Sequence, residues 1–177
     1  MGAIKDIFGK EELEVGLSDI QNLINQKVEE NKMLEYKDPD ILAYPKRLSE
    51  MVSAFLNAEG GLIIIGVCEN KPNEKDRLQA RIYPTDIKFV DSKYTKERVE
   101  QMIFSNIYCS ARPEIRVLPI RDTNDSSKAV FLVEIPQGED PPYRAVDNRY
   151  YRRLNVTKYP LAHYEIADFL VEDADHA

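Results

Sequence analysis

Residues 48–70 have the sequence "LSEMVSAFLNAEGGLIIIGVCEN", which combines a helical pattern, a pair of glycines and an apolar run. Apolar residues in its first half recur at the i, i+3, i+4 spacing of a helix with one buried face: Leu48, Met51, Val52, Phe55 and Leu56. Gly60 and Gly61 stand where such a helix ends, because a C-terminal cap often needs positive φ. The apolar, β-branched run 62–67 predicts a central strand covered on both faces. A carboxylate, Glu69, then lies at the end of this buried strand.

The flanking segments predict further helices and strands. Pro45 fits the first turn of the helix described above. The predicted helices are 17–30, a segment beginning at Thr95, and 162–170; the predicted strands are 32–37, 114–121, 129–136 and 149–154. The turn cluster between the second and third of these strands predicts a β-hairpin. Residues 69–94 are polar and irregular.

This order of elements predicts an α/β (α+β mixed) fold, with a single mixed β-sheet packed with helices. The predicted organisation is a flexible N-terminal arm over 1–16, one domain over 17–170 and a solvated tail over 171–177. A length of 177 residues suits one compact domain. No apolar run approaches the roughly 18 residues of a membrane-spanning helix.

Charge and cysteine content narrow the classes of function. The formal net charge of −7 argues against indiscriminate binding to phosphate backbones, although a local basic groove remains compatible with it. Cys68 and Cys109 lack metal-type spacing and indicate reduced thiols, which predicts a cytoplasmic location. The chain has neither a phosphate-binding loop nor a dinucleotide-binding fingerprint.

An acidic cluster is the first candidate site. Glu35 and Lys37 are two residues apart on a predicted strand, so their side chains point to one face. Glu69 joins them if the two strands are neighbours. Carboxylates bind divalent cations that activate water, and a lysine stabilises charge on a phosphate, which suits phosphodiester cleavage. The alternative is that Glu35 and Lys37 form ordinary surface pairs across strands.

A basic and aromatic run is the second candidate site. Residues 141–159, "PPYRAVDNRYYRRLNVTKY", interleave tyrosines with basic side chains. Aromatic rings stack on unpaired bases and guanidinium groups bridge phosphates, so this composition suits nucleic acid. The candidates are Arg149, Tyr151, Arg152, Arg153 and Lys158. The alternative is an edge strand whose long side chains cover apolar surface and meet local acids.

Several of these segments together resemble the Schlafen AlbA-type domain over roughly residues 17–170. They are "EENKMLEYK" (29–37), the 48–70 segment, "PPY" (141–143) and "YYRRLNVT" (150–157). Domains of this family are described as DNA-binding or ATP-binding, and the family includes the nuclease core of animal Schlafen proteins. The resemblance therefore implies nucleic acid, either structured RNA or DNA, as the partner.

In the nuclease members, three acidic residues form a metal site for cutting structured RNA such as tRNA. Residue-by-residue matching assigns Glu30, Glu35 and Glu69 as ligands of Mg²⁺ or Mn²⁺ and places Lys37 beside them. Animal Schlafens pair two such lobes, so the resemblance also implies a homodimer for this single-lobed chain.

Two departures from the family pattern are visible. Cys68 precedes Glu69 where many members have aspartates, which leaves the third ligand open. In the late "R-x-G-x-x-T" segment, Leu154 stands at the glycine position when Arg152 is matched to the arginine. Moving the match by one residue selects Arg153 instead, so both arginines remain candidates.

Three hypotheses follow for the function. The first is a metal-dependent endoribonuclease, with Glu30, Glu35, Lys37 and Glu69 as the catalytic set. The second is a noncatalytic DNA- or RNA-binding or regulatory module that uses the basic run. The third is an ATP-binding domain, which the missing phosphate-binding loop makes the weakest.

Overall fold

The computed structural model describes residues 2–73, 76 and 80–176. Its helices are α1 (Ala3–Phe8), α2 (Leu17–Asn25), α3 (Pro45–Leu56), α4 (Lys96–Phe104) and α5 (His163–His176), with short 3₁₀ helices at Glu12–Glu14 and Pro39–Ala43. Its strands are β1 (Leu34–Lys37), β2 (Gly61–Ile65), β3 (Val67–Glu69), β4 (Pro84–Ile87), β5 (Ile107–Tyr108), β6 (Arg116–Arg121), β7 (Ala129–Ile135), β8 (Arg144–Ala145), β9 (Tyr151–Leu154) and β10 (Thr157–Pro160). Across the described residues, no helix combines the length and apolar character needed to cross a membrane.

A four-stranded mixed sheet forms the centre of the fold, in the order β1-β2-β7-β6. Strand β1 runs parallel to β2, whereas β7 is antiparallel to both β2 and β6. The predicted mixed sheet packed with helices is confirmed. Three shorter antiparallel pairs accompany it: β3 with β4, β5 with β8, and β9 with β10.

Strand β2 is buried on both faces, as its composition predicts. Ile63 and Ile65 join the cluster formed with Phe55 of α3, while Leu62 and Ile64 join the cluster that contains Ile20 of α2. This alternation follows from the period-2 geometry of a strand. The sheet therefore separates two apolar layers, one against α3 and α4 and the other against α1 and α2.

The glycine pair between α3 and β2 is required by close backbone approach as well as by conformation. Gly60 has φ +75°, and a Cβ there would lie 2.5 Å from the carbonyl oxygen of Ile135. Gly61 has φ +153°, and a Cβ there would lie 2.6 Å from the carbonyl oxygen of Met33. These positions favour glycine, and they let the chain enter the sheet between β1 and β7.

The N-terminal residues differ from the flexible arm predicted over 1–16, because Ala3–Phe8 forms α1. Ile4 is 2% exposed and its backbone N–H donates to Oε1 of the buried Glu134, at 2.9 Å. The prediction is wrong here because the frequent charges obscure a short apolar pattern that packs on the sheet. At the other end, α5 continues to His176, so part of the predicted 171–177 tail is helical, with Val171 exposed.

Several element boundaries also differ from the sequence-based expectations. Helix α2 ends at Asn25 rather than near residue 30, and Lys27 takes a positive φ of 49°. Helix α4 ends at Phe104, because Ile107 and Tyr108 pair with β8 instead of extending the helix. Strands β4 and β10 were not expected; each has four residues, and within the described residues each pairs with one short neighbour.

Candidate functional site

Strands β1 and β3 bring the acidic candidates together. The parallel register pairs Glu35 with Ile63 and Lys37 with Ile65. Gly66, at φ +115°, separates β2 from β3, so the chain continues in a new direction towards Glu69. Lys37 consequently lies between two carboxylates: its Nζ is 2.7 Å from Oε1 of Glu35 and 3.7 Å from Oε2 of Glu69.

The second oxygen of Glu35 is bound by a buried arginine. Nη1 of Arg153 donates to Oε2 of Glu35, and both side chains are less than a tenth exposed. Nη2 of Arg153 donates to the backbone carbonyls of Asn31, at 2.9 Å, and Leu34, at 3.2 Å. Its guanidinium carbon also lies 4.5 Å from the ring centre of Phe55. Glu35 is therefore held between two cations of the chain itself.

Glu30 lies beside this group in a buried position. Its Oε1 accepts a hydrogen bond from the backbone N–H of Tyr36, at 2.8 Å. Burial, reinforced by the negative charge of Glu35, raises the pKa of Glu30 to about 8. Burial opposes the charge of Lys37, but the neighbouring carboxylates outweigh it and raise the pKa of that lysine. At neutral pH the folded protein therefore favours a protonated Glu30 beside a charged Lys37.

These side chains line a cleft of about 560 Å³. We call this space the carboxylate cleft; its lining residues are Glu30, Glu35, Lys37, Met51, Ala54, Glu69, Ile82, Arg153, Val156, Thr157 and Lys158. Lys158 is ion-paired with Glu50 of α3, at 2.6 Å. Among the described residues, Nε of Arg153 and Oε2 of Glu69 are buried without a hydrogen-bond partner.

The arrangement does not fit a ready-made site for Mg²⁺ or Mn²⁺. Such ions need several carboxylate, carbonyl or water oxygens free to coordinate them, whereas both oxygens of Glu35 already contact cationic side chains. Within residues 2–73, 76 and 80–176, no three His, Cys, Asp or Glu side chains are grouped so that they could hold a metal ion. Glu30, Glu35 and Glu69 therefore share one cleft without forming a metal centre in this conformation.

Strands β9 and β10 form a hairpin that divides the basic run between two faces. Tyr151 and Arg153 are buried on the inner face, which packs on the domain, whereas Arg152 is exposed. Lys158 is half-buried in its ion pair, and Arg149 is exposed just before the hairpin. The hydroxyl of Tyr151 donates to Asp147, at 2.6 Å. Of the nucleic-acid-binding candidates, Tyr151 and Arg153 are therefore buried in this structure, whereas Arg149 and Arg152 are exposed.

Asn57 fixes the position of this hairpin. Its Nδ2 donates to the backbone carbonyls of Tyr143, at 2.8 Å, and Tyr151, at 2.9 Å, and its Oδ1 accepts from the N–H of Tyr143, at 2.6 Å. The sequence places Asn57 at the helix end but gives no indication of these distant partners. Sequence reasoning also missed Glu50, whose pairing with Lys158 depends on how the hairpin packs over α3.

Comparison with known proteins gives a match to one family model. The model described as "Schlafen, AlbA_2" matches residues 18–162. No curated protein matches the sequence.

Solved structures resemble the chain at low sequence identity. One is the crystal structure of the DIP2311 protein from Corynebacterium diphtheriae, with 14% identity and a TM-score of 0.51 over 86% of this chain. The match covers 31% of that protein, so the chain spans about a third of its length. Another is the solution structure of the N-terminal domain of an ATP-dependent DNA helicase RecG-related protein from Nitrosomonas europaea, with 19% identity and a TM-score of 0.45, covering 70% of this chain and 74% of that one.

Proposed function

Because the chain belongs to the Schlafen AlbA_2 family, we propose that it is a nucleic-acid-binding domain. The observation that carries this proposal is the division of charge between the two faces of the β9–β10 hairpin. The inner face is neutralised by the pairs Arg153–Glu35 and Lys158–Glu50. The outer face leaves Arg152 exposed at the protein surface.

The outer face of the hairpin has the composition expected of a nucleic-acid contact. Arg152 is directly opposite Tyr159, and Leu154, which is 66% exposed, is opposite Thr157. Arg149 and Arg152 are both exposed, and the guanidinium carbon of Arg152 lies 5.4 Å from the ring centre of Phe169 in α5. An exposed guanidinium is available to bridge phosphate oxygens, and adjacent aromatic and apolar side chains offer surface to unpaired bases.

The test is salt-dependent binding of labelled tRNA and single-stranded DNA. Arg152→Gln and Arg149→Gln are expected to weaken binding and to reduce the slope of log affinity against log salt by about 0.7 per lost phosphate contact on a single strand. Arg121→Gln is the matched control, because Arg121 is also exposed but lies at the end of β6, an edge strand of the four-stranded sheet, to which the hairpin does not belong. Equal affinity and slope in all four proteins would contradict the proposal.

A second candidate function, favoured by the shared carboxylate cleft, is a metal-dependent endoribonuclease acting on structured RNA. Glu30, Glu35 and Glu69 with Lys37 are the residues that the family resemblance assigns to cleavage, and all four line the cleft. The test is cleavage of tRNA in the presence of Mn²⁺. Cleavage that is stopped by EDTA and abolished by Glu35→Gln would support this candidate. Glu59→Gln is the control, because Glu59 is an exposed glutamate paired with Lys32. Metal-independent cleavage, or cleavage that survives Glu35→Gln, would count against it.

Two broader proposals accompany these functions. We infer a reducing, cytoplasmic location from the two free cysteines, Cys68 and Cys109. We also infer a homodimer, by analogy with the paired lobes of animal Schlafens. Sedimentation equilibrium tests the homodimer. A protein that is monomeric at the concentrations at which it saturates nucleic acid would contradict this inference.

A further inference from the structure

Glu35 is enclosed by cations that belong to the protein. Lys37 contacts Oε1 at 2.7 Å, and Arg153 binds Oε2. A divalent ion that coordinated Glu35 would have to take an oxygen from one of these side chains. Lys37 also contacts Glu69, at 3.7 Å, and therefore stays beside the carboxylates. Arg153, from a distant part of the chain, holds the other oxygen of Glu35.

Arg153 is fixed by more than its ion pair. Its Nη2 donates to the backbone carbonyls of Asn31 and Leu34, and its guanidinium lies against the ring of Phe55. Its strand is tied to α3 by Asn57, which donates to the carbonyl of Tyr151. Displacing the guanidinium would break both hydrogen bonds, and the carbonyl of the buried Leu34 is costly to leave unpaired.

The carboxylates of Glu35 and Glu69 are also paired with cationic side chains, without an added ion. Arg153 and Lys37 supply two positive charges next to the carboxylates of Glu35 and Glu69, and the nearby Lys158 is matched by Glu50. A divalent cation attracts carboxylates by their uncompensated charge, and two fixed cations within the cluster repel it. The contacts of Arg153 and the charge of the cluster therefore both oppose the binding of a divalent cation to Glu35.

We propose that Arg153 is the internal counter-cation of the carboxylate cleft and closes it to divalent metal ions in the free protein. The guanidinium holds Oε2 of Glu35, and Lys37 holds Oε1, so a metal ion finds neither oxygen free. The proposal concerns the protein without nucleic acid, so it can fail independently of the nucleic-acid-binding function. It also gives the two arginines of the hairpin different roles. Arg153 neutralises a carboxylate of the cleft, and Arg152 is available to nucleic acid at the surface.

The experiment is a titration of Mn²⁺ into the full chain, with the free ion counted by electron paramagnetic resonance. Wild type is expected to show no saturable binding below millimolar Mn²⁺. Arg153→Met keeps an unbranched apolar side chain beside Phe55 while removing the charge. It is expected to bind one Mn²⁺ at least about tenfold more tightly than wild type, a difference of about 1.4 kcal/mol. Adding Glu69→Gln to this variant should weaken that binding again.

Two results would overturn the proposal. One is stoichiometric, micromolar Mn²⁺ binding by wild type that Glu35→Gln removes. The other is a folded Arg153→Met variant, verified by circular dichroism, that binds no more tightly than wild type.

If the variant does not fold, wild type labelled with ¹⁵N decides the matter through the Nε–H resonance of Arg153. The proposal expects that resonance to keep its position and its exchange rate in millimolar Mg²⁺. A saturable shift, or faster exchange, would show that the metal displaces the guanidinium and would refute it.

Discussion

Glu30 combines a buried carboxyl group with a backbone hydrogen bond from Tyr36. Its pKa is about 8 in the folded protein, against an ordinary value of 4.5. Between these two values the folded state holds a proton that the unfolded state has released. Glu30 therefore contributes stability that is complete below pH 4.5 and is lost as the pH rises through about 8.

Replacing Glu30 by Gln is expected to flatten this pH dependence. Gln has nearly the same volume and can still accept the hydrogen bond from Tyr36, but it has no proton to lose. In thermal denaturation from pH 5 to pH 9, the free energy of unfolding of the variant should rise relative to that of wild type as the pH increases. The expected rise is up to about 1.4 kcal/mol per pH unit within the window. The exposed Glu59→Gln variant is the control. Parallel curves for wild type and Glu30→Gln would contradict the assignment.

The pair Glu35–Arg153 should behave as a buried ion pair in a double-mutant cycle. Removing one member leaves the other charge buried, so Arg153→Met is expected to lower the free energy of unfolding by about 3–5 kcal/mol. Combining it with Glu35→Gln removes the stranded carboxylate and should recover a large part of that loss. Urea denaturation of the four proteins measures the coupling. Additive losses would mean that the two side chains do not interact in solution.

Among the elements, the β9–β10 hairpin depends on the end of α3. Asn57 satisfies three backbone groups of the segments that lead into the hairpin. Buried polar groups that lose their partners cost about 1–3 kcal/mol each. The hairpin is otherwise a two-stranded ribbon, which is marginal on its own in water. We therefore expect that removing the side chain of Asn57 destabilises the attachment of the hairpin more than it destabilises the central sheet.

Asn57→Ala is expected to loosen the hairpin before it unfolds the domain. Hydrogen exchange should become faster in residues 151–160 than in β6 and β7, and the melting temperature should fall. Asn124→Ala, in the exposed turn between β6 and β7, provides the control. Uniform acceleration across the sheet would contradict a local role for Asn57.

Elements with strong periodicity were predictable, and the short ones were not. Helix α3 and strand β2 follow their apolar patterns closely, because packing on the sheet requires that spacing. The cleft was partly predictable, since Glu35 and Lys37 share a strand face. The inward direction of Arg153 was not, because a shift of one residue in a strand exchanges its two faces. Which face of β9 points inward depends on contacts with Asn57 and Glu35, which are distant from the hairpin in sequence.

For the whole molecule, stability depends on covering both faces of the central sheet. Helix α1 contributes to one of the two apolar layers through Ala3 and Ile4. The buried Glu134 links this helix to the sheet, because it accepts from the N–H of Ile4 and from Arg116. The N-terminal residues are therefore part of the folded unit, and truncating them would expose apolar surface.

Ile4→Ala is expected to destabilise the protein by about 2–5 kcal/mol, the usual cost of removing a buried aliphatic side chain. Leu13→Ala is the matched control in the same segment, because Leu13 is 91% exposed and should change stability by no more than about 0.5 kcal/mol. Urea denaturation measures both. Equal effects of the two substitutions would indicate that α1 does not pack on the sheet in solution.

Each face of the β9–β10 hairpin carries one arginine, and the two arginines are neighbours in the sequence. Arg152 and Arg153 are consecutive residues, one exposed at the surface and the other buried against Glu35. Successive side chains of a strand point to opposite faces, so the register of β9 decides which of the two arginines faces the cleft. A slip of one residue would place Arg152 in the cleft and Arg153 at the surface, so the charge of the cleft wall and the charge of the outer surface are specified together.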